Sequence, residues 1–250
     1  MGIINRIGGS GVSLAGLKAA VVAIGPSLLL DADSVAGADG DAVGSWADDS
    51  GNDVDFSQSK ASCKPVLKKS ANGINGHNVI RFDGSNDILS IVSGKVLSDI
   101  ITASADNCFF VFKLVAVTTS DATMYNNDCL IADDGGAWGT FFKTDGYVYS
   151  YYYSVSSYPW SKSAENSIST GIAYILASRH SGGSIYQSIN GGTENSEACG
   201  NVAVTEGVYL GGLVAYTQID IAEIICFKSN LSSANRDTVM NYLNTKYSIY

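Results

Sequence analysis

Hydrophobic positions in this chain repeat with two different periods. Residues 12–25, VSLAGLKAAVVAIG, read as a short helix: Ser13 is its N-cap, Leu14, Leu17, Val21 and Ile24 form its stripe, and Gly25-Pro26 stops it. At the other end Val239, Met240, Leu243 and Tyr247 share one helical face behind a cap at Ser232 or Ser233. Between them lie apolar runs of strand length, broken by turn residues. SLLLDA (27–32), CFFVFKLVAV (108–117), WGTFFK, YVYSYYYSV, IAYILASRH, SIYQSIN, GVYLGGLV and QIDIAEIICFK are such runs. The 108–117 run is almost continuously apolar, as in a strand covered on both faces. NVIRFDGSNDILSIV (78–92) predicts a hairpin turning at Asp83-Gly84. The expected fold is all-β: a two-sheet antiparallel jelly-roll sandwich with a short N-terminal helical segment and a C-terminal helix. Residues 1–26 form a docking segment with the short helix, and residues 27–250 form the β body. No fixed repeat points to a solenoid or propeller.

Composition narrows the choice of function. Across 250 residues, 15 Lys+Arg against 24 Asp+Glu leave a formal charge of −9, which repels nucleic acid. A hydrophobic content of 46% with 10% aromatics excludes a disordered chain. Two histidines, His77 and His180, exclude a multi-histidine metal site, and the five cysteines include no CxxC pair. Cys108 and Cys226 sit in apolar runs and read as small buried hydrophobes. Cys63 and Cys199 lie in polar stretches and are the candidates for an inter-subunit disulfide. The N-terminal apolar stretch is too short to span a bilayer. As a signal peptide it lacks a cleavage motif, Lys18 interrupts it and only Arg6 precedes it. It either packs on the body or attaches the body to something larger, with Gly8-Gly9-Ser10-Gly11 as a hinge.

Three ordered blocks resemble the LamG-like jelly-roll domains of the concanavalin A-like lectin/glucanase fold. They are LLLDADS (28–34) with VGSWADDSGN (43–52), NGINGHNVIRFDGSNDIL (72–89), and DIAEIICFKSNLSSANRDTVMNYLNTKYSI (220–249). The resemblance implies two packed antiparallel sheets and a closing helix, and it leaves function open among sugar binding, hydrolysis, adhesion and scaffolding. Within it Trp46 plugs the sandwich, Asp48, Asp49, Ser50 and Asn52 organise a tight loop, and the closing helix covers an open end of the core.

Four constellations could carry chemistry. QIDIAE (218–223) is similar to the Glu-x-Asp-x-x-Glu strand of glucanases, whose first Glu is nucleophile and last is acid/base. Retaining hydrolysis needs two carboxyl groups about 5–5.5 Å apart. Gln218 stands at the nucleophile position, so Asp220 and Glu223 are expected to be structural and no catalytic residues are assigned. His180, in ASRHSGG beside Ser178 and Ser181, reads as an exposed loop histidine. No cofactor is expected unless it is calcium, for which Asp31, Asp33, Asp48 and Asp49, with Asp39, Asp41, Asp53 and Asp55 nearby, are the candidate loop. Tyr147, Tyr149, Tyr151 and Tyr153 would share one strand face, with Trp138 and Trp160 near in sequence. Tyr147, Tyr149, Tyr151, Tyr153 and Trp160 are the candidate carbohydrate or partner surface, against the alternative that these rings fill the core.

LamG-like domains with such an N-terminal segment look like virion proteins of tailed phages, assembled in the host cytoplasm. The expected function is therefore a non-enzymatic structural or adhesive virion protein, as a capsid decoration, fibre or tail component. It would contact other virion proteins through residues 1–26, form a homo-oligomer, and bind host glycans on a lectin-like surface. The alternatives are a stand-alone carbohydrate-binding module, extracellular or at a cell surface, and a glucanase-like hydrolase.

Overall fold

The computed structural model describes residues 12–117, 128–143, 146–152, 160–162, 168–212 and 216–250. Helix α1 (Leu14–Ile24) begins at Ser13, whose hydroxyl accepts the Gly16 N–H, and ends at Gly25 in the left-handed conformation. Leu17 and Val21 are its buried residues. Helix α2 (Ser233–Tyr247) is capped by Ser232 and buries Val239, Tyr242, Leu243, Lys246 and Tyr247. No helix among the described residues is long and apolar enough to cross a membrane.

The strands form two antiparallel sheets. In the first, β1 (Leu28–Asp31), β4 (Val66–Lys68), β5 (Val79–Asp83), β7 (Asp106–Ala116), β12 (Ala173–Ser181), β13 (Ser184–Ile189), β14 (Asn195–Ala198) and β16 (Gln218–Phe227) run in the order β14-β13-β12-β7-β16-β5-β4. The long strand β16 meets β5 along its first half and β1 along its second. The second sheet holds β2 (Ser45–Trp46), β3 (Phe56–Ser57), β6 (Leu89–Ile91), β8 (Asp128–Asp133), β9 (Trp138–Phe142), β10 (Val148–Tyr152), β11 (Trp160–Lys162) and β15 (Val208–Leu210), ordered β11-β10-β9-β8-β15-β6-β3-β2. The mostly-β two-sheet sandwich with one helix near each end is as the sequence predicts.

Alternation along the strands explains the layering. Leu28, Leu30, Phe82, Phe110, Phe112, Ile221 and Ile224 point between the sheets and meet Trp46, Phe56, Leu89 and Phe142. The opposite parity, Leu29, Phe109, Val111, Ile225 and Phe227, points outward and is covered by Leu17, Val21, Val239, Leu243 and Tyr247 of the two helices. The first sheet is thus buried on both faces, which is why its central strands read as unbroken apolar runs. The closing helix lies across this outer face, a correction to the expectation that it covers an open end of the core.

A second correction concerns residues 78–92. β5 and β6 are not hairpin partners: β5 pairs with β16 and β4, whereas β6 pairs with β15 and β3. The turn is a corner between sheets. Asp83 Oδ1 accepts the N–H groups of Ser85 and Asn86, and Asp87 accepts the N–H of Asp83. Those side-chain bonds to the backbone replace a hairpin ladder. Phe82 and Leu89, on either side of the turn, both face the inter-sheet core.

Beside this corner Gly211 has φ +84°, and a methyl group there would overlap the Phe82 ring. Gly211→Ala is expected to cost about 2–4 kcal/mol in urea unfolding. Gly40→Ala, also at positive φ but facing open space, should cost only about 1 kcal/mol.

Candidate functional site

The outward face of the first sheet carries the acids that the sequence marks for chemistry. Asp31 and Glu223 are directly opposite each other across the β1–β16 ladder, and both are buried. Two carboxylates so placed repel. Lys246 of α2 resolves the conflict: its ammonium is 2.8 Å from each Asp31 oxygen and 2.9 Å from Glu223 Oε2. Tyr242 and Tyr247 donate their hydroxyls to Glu223, each at 2.9 Å. Lys18 of α1 reaches Asp31 Oδ2 at 2.8 Å, so both helices are tied to one pair of strands. Burial disfavours the Asp31 carboxylate, yet Lys246 and Lys18 outweigh it and hold its pKa below the ordinary 3.8. For Glu223 burial wins, and its pKa lies above 4.5 despite Lys246. Burial likewise opposes the Lys246 charge, but Glu223 and Asp31 raise its pKa above 10.5.

Asp220, on the same face, is also consumed. Arg81 grips it through two bonds of 2.6 and 2.8 Å, and Lys113 approaches to 3.0 Å. Gln218 begins β16 with an amide where a nucleophile would be needed. Asp220 and Glu223 are therefore structural in their contacts. His180 differs from expectation: it is a fully buried strand residue on β12, 0% exposed, with its ring 5.0 Å from that of Tyr152. It faces the inter-sheet space beside Asp106, which accepts a 2.7 Å bond from the Tyr152 hydroxyl and whose pKa burial pushes to about 7. The local ASRHSGG pattern suggested a turn, but the turn starts only at Gly182-Gly183, after the strand has ended.

The aspartate loop is held by its own backbone. Asp48 Oδ1 accepts the N–H groups of Leu29 and Ser50, and Oδ2 takes the Ser50 hydroxyl and the Val54 N–H. Asp33 accepts from Asn78 N–H and bonds His77 Nδ1 at 2.7 Å. Asp49 lies 4.0 Å from Lys18. Asp31 already has two ammonium partners. Among the described residues no three acid, histidine or cysteine side chains are grouped to hold a metal ion.

The tyrosines divide by parity, as predicted. Tyr149 and Tyr151 lie on the outer face of the second sheet, while Val148 and Tyr152 enter the core. The two outer rings are buried, 5% and 1% exposed, in a small cluster with Phe141 and Cys129, and half-buried Tyr147 packs beside them. Tyr149 stacks on Phe141 at 5.2 Å, with the Lys143 ammonium 4.7 Å from its ring centre. Trp160 is opposite Tyr151 in the β10–β11 register. Tyr153 lies outside the described residues. Cys63 and Cys199 are half-buried free thiols, and Cys108 and Cys226 are buried register partners.

One feature escaped the sequence. A surface cleft of 460 Å³ opens where α1 hands over to β1, lined by Ser50, Asn52, Lys95, Asp99, Lys228 and Ser229 among others. Its residues are drawn from four separated stretches of chain, so no local motif announces it.

No protein-family model matches the sequence, and no curated protein matches it. Solved structures do resemble the fold. The botulinum neurotoxin serotype D binding domain superposes with a TM-score of 0.60 at 15% identity, over 88% of this chain and 52% of that one. The serotype D ligand binding domain in complex with N-acetylneuraminic acid gives 0.57 at 13%, over 88% and 52%. Trypanosoma rangeli sialidase in complex with sialic acid gives 0.51 at 10%, over 89% and 33%. The chain thus spans about half the length of the toxin domains and a third of the sialidase. At these identities the likeness is one of fold: an antiparallel two-sheet sandwich.

The Lys246 lock has a direct test. Lys246→Met leaves Glu223 buried without a cation and Asp31 with Lys18 alone, and is expected to lower unfolding free energy by about 3–5 kcal/mol. In that variant burial holds the Glu223 proton still more tightly in the folded state than in the unfolded one, so the deficit should shrink as pH falls through the carboxylate range. The parent protein should do the reverse for Asp31, losing that residue's contribution as pH drops below 3.8.

Proposed function

We propose that this protein acts by presenting a surface: a non-enzymatic, lectin-like domain that binds carbohydrate as a structural or adhesive component of a virion. The observation that carries the first part is the fate of the acids. Glycoside hydrolysis needs one carboxyl group ready to donate a proton and another ready to attack or activate water. Asp220 is held by Arg81 and Lys113, and Glu223 is sealed under α2 by Lys246 and two tyrosines. Neither carboxylate is free to act on a sugar. The carbohydrate-binding part is supported by the neighbours solved with sialic acid or N-acetylneuraminic acid.

The virion part draws support from α1. Its inward face is fixed to the body by Leu17, Val21 and the Lys18–Asp31 bond. Its outward positions include Leu14 and Val22, exposed at 39% and 44%, and Val12 just before its cap is exposed at 66%. A helix apolar on both sides suits attachment to a second apolar surface. Under this reading residues 1–26 join the domain to other virion proteins, and the β body faces outward.

A glycan array combined with an assay for released sugars tests the proposal. The protein should retain one or more glycans and release no reducing ends from any of them. Glu223→Gln should lower the melting temperature without altering the sugars retained. Hydrolysis that disappears in Glu223→Gln would contradict the reading.

A further inference from the structure

The cleft beside α1 has the chemistry of a particular kind of sugar. We infer that it receives a sugar unit bearing one carboxylate, with Lys95 and Lys228 as the groups that hold the anion; this rests on the carbohydrate-binding reading above. At 460 Å³ its volume suits a small ligand.

Its rim is built in advance of any ligand. Asp48 pins the loop 48–54 from within. Asn52 Nδ2 ties that loop to the carbonyl of Pro26 at 3.0 Å and to the Ser50 hydroxyl at 2.8 Å. The Lys95 ammonium bonds the Asn52 carbonyl at 2.8 Å, so its charge sits at a fixed place on the wall. Such prior ordering lowers the entropic cost of binding.

The donors and acceptors left over define the ligand. Among the described residues neither Lys95 nor Lys228 lies within ion-pair distance of a carboxylate, although the chain as a whole carries −9. Lys95 keeps two N–H donors beyond its bond to Asn52, and Lys228 makes no side-chain hydrogen bond to a described residue. Two lysines lining one cleft are matched to an anionic group. Asp99 uses Oδ2 to accept the Val96 N–H; its Oδ1 and Asn52 Oδ1 accept no bond from the described residues. Those oxygens suit hydroxyl donors. Among the described residues no aromatic ring lines the cleft, so they offer a neutral sugar no face to stack on there. Two lysines against Asp99 leave a local surplus of one positive charge, enough for one carboxylate and too little for a polyanion on an acidic protein.

The test titrates the full chain with N-acetylneuraminic acid, its uncharged methyl ester, N-acetylglucosamine and inorganic sulfate, followed by chemical-shift changes and calorimetry. The acid should bind best, and Lys228→Glu, which breaks no hydrogen bond, should weaken it by about tenfold or more with no change in melting temperature. Lys95→Ala should weaken it similarly. Equal binding of the methyl ester, or acid binding unchanged in Lys228→Glu, overturns this inference and leaves carbohydrate binding standing. Sulfate binding as tightly as the acid also overturns it, because the cleft would then be a simple anion site. If the glycan array retains no sugar at all, the carbohydrate reading fails and this one with it.

Discussion

Asp31 and Glu223 face each other across a pair of antiparallel strands, buried and like-charged, and one ammonium reconciles them. Without Lys246 the β1–β16 pairing would carry a repulsion that the ladder's hydrogen bonds would have to overcome. With it the repulsion becomes a clasp, because Lys246 can reach both acids only when α2 lies flat on the sheet. Lys18 adds a second strap from α1. The docking of the two helices on the first sheet is thus fixed by charge at this cluster, within a broad apolar contact. A buried ion cluster is a poor source of net stability, since desolvation offsets most of its attraction. Its value here is positional: an apolar helix face could slide, whereas Lys246 has one place to go.

That arrangement also accounts for the acids of β16, a strand whose pattern is similar to one found in glucanases. In a glycosidase the acid pair stands in a groove open to substrate. Here the face of β16 that carries Glu223 is roofed by α2, and the hydroxyls of Tyr242 and Tyr247 satisfy that carboxylate. The same strand pattern therefore serves architecture. Among the described residues, exposed Leu14 and Val22 on α1 and the polar cleft where α1 meets β1 are suited to contact with other molecules.

Much of the fold was legible because period-2 and period-3.6 patterns report directly which face is buried. Both helices and their serine caps, the doubly covered β7 run, Trp46 in the core and the Asp48 loop all follow from residues close together in sequence. Partner choice was harder. Asp83-Gly84 signals a turn, but a turn alone does not say whether the flanking strands pair or part, and here they join different sheets. His180 was misplaced because its neighbours Ser181, Gly182 and Gly183 mimic a loop, whereas its burial is set by Asp106 and Tyr152, far away in the chain. The aspartates looked like a cation site for a similar reason: of the two ammonium groups that reach Asp31, Lys246 lies 215 positions later in the chain. The tyrosine parity was readable, but the burial of Tyr149 and Tyr151 depends on what packs over them. The cleft had no signal at all, since it exists only once four distant segments are brought together.

Residue-specific carbon NMR of the side-chain carboxyl groups across an acid titration tests the central claim most directly. If Lys246 clasps two buried acids, Asp31 should titrate below 3.8 and Glu223 above 4.5 in the folded protein. Ordinary, independent titration of both, with Glu223 open to solvent, would contradict the account and return β16 to the list of candidate catalytic strands.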